Sequence, residues 1–372
     1  MKIPLSICAA SVLALLSSTG SATEDFYVGT YTKFLGSRGI YHFQFDEKTG
    51  TISKGQLAAP ASNPSYLVIH PNRHWLYAAN ERELGVINAY SIAPDGKLQL
   101  LSRQSSRGSG PCHLSLDASH RFVFVANYNA GTIAALPIQR GGAVGPASGF
   151  DQQKGGGVNP QRQEGPHAHS IYASPDNRFV YSCDLGNDKV EGYRFDSEKG
   201  TFAHSKAVTT KIAPGSGPRH LVQHPEGYVY VINEMGNTIT ALRRDMASGA
   251  MHTFQTVPTL PAGFKQENTT AEIALHPNGK FLYGSNRGHD SIAVYSIGAN
   301  GRLSLIEHVS TKGKTPRFFT FDPSGHWLLA ANQNSNDIFV FRADSHTGKL
   351  TPNGHKVKVG APVCIEFLRP KR

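Results

Sequence analysis

From Phe26 onward, short runs of alternating apolar and polar residues are broken every few positions by Gly, Asn, Asp or Pro. No stretch carries the spacing of an amphipathic helix, so the pattern predicts β-strands joined by tight turns. The strands recur in order. One type ends on a small polar residue: Thr30, Asn80, Asn127, Asp184, Asn233, Asn286 and Asn332, spaced 46 to 57 residues apart. Before six of these lies a strand such as NPSYLVIHP, GPCHLSLDA or PRHLVQHP. After each come a Gly/Asn turn, an alternating strand such as SIAVYSI, and a fourth strand after D-G-K-L, N-G-R-L or T-G-K-L.

Repeated four-stranded units of this length predict an all-β fold, a seven-bladed β-propeller. The first unit lacks its leading strand. Ala361 to Leu368 fits that pattern, so the C-terminal strand is expected to complete the N-terminal blade and close the ring. The recurring Asn residues read as structural, because Asn suits a turn position with positive φ. Two inserts, Gly141 to Gly165 and Leu260 to Thr270, are expected as loops over the face where the leading strands begin.

The first 22 residues read as a secretory signal: Lys2, an apolar run from Leu5 to Leu16, then Gly20-Ser21-Ala22. The domain then spans 23–372, in the periplasm or outside the cell. No later apolar run is long enough to span a bilayer as a helix. The net charge of +10 is not gathered into Lys/Arg runs. It favours small anionic ligands over nucleic acid. Past the signal three cysteines remain, Cys112, Cys183 and Cys364, so at most one disulfide is available and free buried thiols are expected.

Candidate chemistry follows from the topology. Leading strands line a propeller's channel, and their beginnings share one face with the ends of the second strands. That convergence gathers Tyr66, Cys112, His113, His167, His169, Arg219, His220, Glu272 and Arg317 with Glu81, Tyr128, Glu234, Arg287 and Gln333. Arginines, histidines and acids at one mouth point to anion binding and acid–base chemistry. His167 and His169 could share a metal, but neighbouring arginines disfavour a cation, and neither metal nor cofactor is expected. Cys112 and His113 point to opposite faces and are no nucleophile pair.

The segments NPQRQEGPHAHS (159–170), RHLVQHPEG (219–227) and TAEIALHPNGKFLYGSNRGHDSIAVY (270–295) resemble the seven-bladed propeller lactonases, the family of propeller-type 6-phosphogluconolactonases and fungal carboxymuconate cycloisomerases. The resemblance implies opening or closing of a lactone ring on an anionic sugar acid or muconate. It implies a site at His169 (or His167), Arg219, Arg287 and Glu234, with the arginines gripping the anion. His169, His167 or Glu234 is the base. His167, His113, His220, Glu272, Arg317 and Gln333 are expected to line the substrate. A lactonising cycloisomerase and a non-catalytic interaction platform are the alternatives; a platform would carry apolar and aromatic residues at the mouth.

Overall fold

The computed structural model describes residues 23–33 and 36–368, so the signal-like segment lies outside the described residues. The described residues form strands and turns with no helix, in seven antiparallel sheets arranged as blades. The second blade is typical. Pro64–Ile69, Trp75–Asn80, Val86–Ile92 and Leu98–Ser105 follow one another from the channel outward. In the first blade Pro362–Phe367 pairs with Thr23–Thr30, from Phe26↔Phe367 to Thr30↔Pro362, with one register shift after Gly29. The channel strands beginning at Pro64, Pro111, Ala168, Pro218, Thr269, Pro316 and Pro362 touch one another in turn and close the ring.

Burial explains the strand types. Second strands are enclosed on both faces by neighbouring blades, so Phe122–Asn127 and Phe179–Asp184 are buried throughout. Outermost strands such as Leu98–Ser105 meet solvent. Four second-strand tyrosines carry a hydroxyl across to the next blade. Tyr27, Tyr181, Tyr230 and Tyr283 donate to the carbonyls of Gly96, Gly249, Gly301 and Gly348 at 2.7–3.1 Å. Each ring buries apolar area, contributing roughly 1.5–3 kcal/mol per side chain. The hydroxyl bond also fixes the angle between blades.

Two expectations are corrected. The recurring Asn residues are structural, but their φ is not positive. Four of the five reach back through Nδ2 to the loop before their own blade's channel strand, while Asn233 Nδ2 donates to the Thr238 and Thr240 hydroxyls at 2.9 Å. Asn80, Asn127, Asn286 and Asn332 donate to the carbonyls of Ser62, Ser106, Thr259 and Thr311 at 2.8–3.2 Å. Positive φ belongs instead to turn residues that follow, Asp188, Asn237, Asp290 and Asn336. The 141–165 insert is not all loop: Gly149–Gln152 is the outer strand of the third blade. Past Gln153 the chain crosses to the mouth, passing so close to Gly186 that a Cβ there would lie 1.9 Å from the Gly165 carbonyl oxygen. Cys112, Cys183 and Cys364 are free and buried, as expected.

Candidate functional site

The channel strands are irregular where the chemistry lies. In each, the pairing with the second strand skips forward near its start. Pro64 and Tyr66 oppose Asn80 and Ala79, Ala168 and Ser170 oppose Asp184 and Cys183, and Pro218 and His220 oppose Asn233 and Ile232. The same extra residue occurs in the other four blades. A bulged residue has no partner across the ladder, and its side chain is re-aimed. The bulged positions are Ser65, Cys112, His169, Arg219, Ala271–Glu272, Arg317 and Val363. His169, Arg219 and Arg317 thus lie in one layer at the mouth.

Glu234 is the hub of that layer. It follows Asn233 at the end of a second strand and is 5% exposed. Its Oε2 meets Arg219 Nε at 3.1 Å and an Arg287 Nη2 at 2.9 Å, and stands 3.9 Å from His169 Nε2. Its Oε1 meets Arg162 Nη2 at 2.6 Å. Burial alone would push this carboxyl up, but Arg287, Arg219 and then Arg162 outweigh it and hold it at about 2. Arg219 and Arg287 are committed beyond Glu234 as well. Arg219 Nη1 donates to the Ala271 carbonyl at 2.7 Å, and Arg287 Nη2 to that of Thr270 at 2.7 Å. Arg317 differs. Its guanidinium lies 5.3 Å above the Tyr31 ring and has no hydrogen bond or ion pair among the described residues.

The histidines separate by their partners. His167 stacks on Tyr128 and is tied at both ring nitrogens, to the Tyr128 carbonyl at 3.0 Å and Glu164 at 3.1 Å. His220 is locked between Arg219 Nη1 at 3.3 Å and Glu272 at 3.2 Å. His113 is sealed among Tyr66, Tyr172 and His220, with its Nε2 unbonded. In contrast, His169 Nε2 bonds no other described residue and faces Glu234, while Nδ1 lies 3.8 Å from Cys112 Sγ. Burial, then the charge of Arg219, holds this imidazole well below its ordinary range, so it is neutral at pH 7. Burial likewise pushes the Cys112 thiol up, which keeps it protonated.

His113, His220 and Glu272 therefore form a buried layer beneath the mouth. Gln333 is half-buried, and its side chain bonds Asn334 at 3.2 Å. Two participants had no sequence signal of their own. Arg162 sits in the aperiodic insert, within a quoted family segment. Tyr31 holds Glu81 at 2.8 Å. Among the described residues no three His, Cys, Asp or Glu side chains stand close enough to share a metal ion.

Burial raises the Glu272 carboxyl to about 8, against opposing pulls from Arg219 and the Ile273 N–H. An acid whose folded pKa is raised contributes stability below its unfolded value near 4.5 and loses it as pH rises towards 8. Each unit of that shift corresponds to about 1.4 kcal/mol. Glu272→Gln is thus expected to gain on wild type between pH 5 and pH 8.5, read as urea midpoints. Parallel curves would show that the Glu272 carboxyl is no harder to ionise in the folded protein than in the unfolded chain, and would refute the shift.

Residues 25–367 match the family described as Lactonase, 7-bladed beta-propeller. A 6-phosphogluconolactonase of Bacillus subtilis is 37% identical over 346 residues, covering 92% of this chain and 97% of the relative. One from Formosa agariphila is 35% identical over 353 residues, covering 92% and 99%. The solved structure of a periplasmic gluconolactonase from Pseudomonas aeruginosa superposes with a TM-score of 0.87 at 32% identity, covering 93% of this chain and 99% of that one.

Proposed function

The chain belongs to the seven-bladed propeller lactonases and is a lactone hydrolase of the 6-phosphogluconolactonase type, and from that premise we propose that it opens an anionic sugar lactone with His169 as general base. The observation that carries this reading is the state of His169. Among the four histidines at the channel, it has a ring nitrogen that is unbonded, faces the buried carboxylate and is neutral at pH 7.

His169 Nε2 takes a proton from water as the water oxygen attacks the lactone carbonyl carbon. The tetrahedral oxyanion is stabilised by Arg287 and Arg317, guanidiniums held at the channel mouth. Glu234, 3.9 Å away, stabilises the imidazolium as it forms. Collapse breaks the bond to the ring oxygen, which recovers the proton from His169 and leaves the open acid. Because the charge of Arg219 and Arg317 depresses the His169 imidazole, an anionic substrate that offsets this charge raises its basicity on binding. The signal-like residues 1–22 and the periplasmic relative support an exported enzyme.

Purified protein lacking residues 1–22 is expected to hydrolyse sugar lactones, measured by acid release. The rate should be unchanged in EDTA, since the guanidiniums repel a cation. Arg219→Lys and Arg287→Lys should each lower kcat/KM about tenfold or more, because an ammonium cannot hold Glu234 and a main-chain carbonyl in one plane. Wild-type rates in both variants, or loss of activity on chelation, would overturn the reading.

A further inference from the structure

Three arginines share the one carboxylate of Glu234, and they are not equivalent. Side-chain exposure is 3% for Arg219 and 12% for Arg287, but 38% for Arg162. The first two rise from the blades and are anchored to main-chain carbonyls. Arg162 arrives from the insert, 72 residues away in sequence, and its other contact is the Tyr128 hydroxyl at 3.2 Å. We propose that Arg162 is the residue that recognises the substrate's own oxyanion, exchanging Glu234 for a phosphate or carboxylate carried by the lactone. This rests on the hydrolase reading and deepens it by naming what selects the substrate.

The insert is built for such an exchange. Asn159 Oδ1 accepts the N–H groups of Gln161 and Arg162 at 3.1 and 3.2 Å. The buried Gln163 side chain accepts the Asn159 N–H at 3.1 Å and donates to the Leu185 carbonyl at 2.9 Å. The backbone is therefore fixed, and only the Arg162 side chain needs to move. At 38% exposure, that side chain can meet an incoming anion from the solvent side without uncovering Glu234's other partners. Glu234 keeps Arg219 and Arg287 when it leaves. The charge balance favours an incoming anion, because four guanidiniums, Arg162, Arg219, Arg287 and Arg317, meet three carboxylates there, Glu234, Glu81 and the exposed Glu164, while burial raises the Glu272 carboxyl to about 8. A guanidinium grips phosphate or carboxylate through two parallel N–H bonds, which gives direction as well as attraction. The partly exposed position puts that grip at the solvent side of the pocket, with the lactone carbonyl towards His169.

The test compares three lactones on wild type, Arg162→Ala and Arg162→Gln: 6-phosphogluconolactone, a glucarolactone bearing a carboxylate, and neutral gluconolactone. In both variants the ratio of kcat/KM for the charged lactone to that for the neutral one should fall about tenfold or more, with the loss in KM. Whichever charged lactone shows the larger fall identifies the oxyanion. Inorganic phosphate, titrated calorimetrically into the same proteins at low salt, should bind wild type and lose about tenfold in affinity in the variants. Equal losses on all three lactones, or losses in kcat alone, would overturn the proposal, because Arg162 would then act only through Glu234. If wild type hydrolyses none of the lactones, the hydrolase reading fails. The phosphate titration still decides Arg162: unchanged affinity in the variants refutes it.

Discussion

A chain ending at Gly360 is expected not to fold. The missing strand removes Val363, Cys364, Ile365, Phe367 and Leu368, all buried. At roughly 1.5–3 kcal/mol for each large apolar side chain, the loss is on the order of 10 kcal/mol. Net stabilities are only about 5–15 kcal/mol. The aromatic contacts of Phe367 with Phe26 at 5.1 Å and Phe45 at 5.8 Å go with it. So does the Leu67 N–H bond to Cys364 Sγ at 3.4 Å, which joins the first blade to the second. Thr23–Thr30 would present a bare inner edge to the channel. Insoluble expression, or a soluble product without a cooperative melting transition, is the expected result. A soluble truncated protein melting with wild type would refute closure by this strand.

His169→Ala is expected to lower kcat/KM by roughly 10²–10⁴, the range for lost general-base catalysis. Folding should survive, because Nε2 holds nothing in place. The wild-type pH profile carries the same assignment. Burial and Arg219 keep the imidazole well below 6.5, so activity should hold through pH 6.5 and fall only under more acidic conditions. This lies lower than a histidine in open solvent would put it. The variant's residual activity should lose that acid limb. A full-rate His169→Ala enzyme, or one with the limb intact, would pass the role to another group.

Much of this was legible in the sequence, for stated reasons. A repeat of about fifty residues cannot bury its sheets alone, so Asn80, Asn127 and their equivalents give the blade count, and Pro362 to Leu368 gives the closure. Hairpin geometry brings Arg219 beside Glu234 from a stretch of seventeen residues, Pro218 to Glu234. The bulges were not legible, because one extra residue in a ladder changes no composition and little periodicity. Gly149–Gln152 was missed because its four residues show no alternation. The difference between His167 and His169 lies in their partners, the Tyr128 carbonyl and Glu164 at 3.0–3.1 Å for one, and Cys112 and Glu234 at 3.8–3.9 Å for the other, which spacing does not encode. Arg162 reaches Glu234 only through the path of a loop. The recurring Asn residues were assigned a correct role for the wrong physical reason.

The bulges have a consequence for how such a ring changes over time. A residue inside a ladder is constrained by the neighbour across from it; a residue outside the pairing is not. This ring offers that freedom at Ser65, Cys112, His169, Arg219, Glu272, Arg317 and Val363, all near the starts of the channel strands. A different side chain at such a position leaves the pairing on either side of the bulge in place. The scaffold separates what must be conserved to fold from what is open to selection. The side chains at the mouth stand on positions whose exchange leaves the ladders that hold the blades as they are.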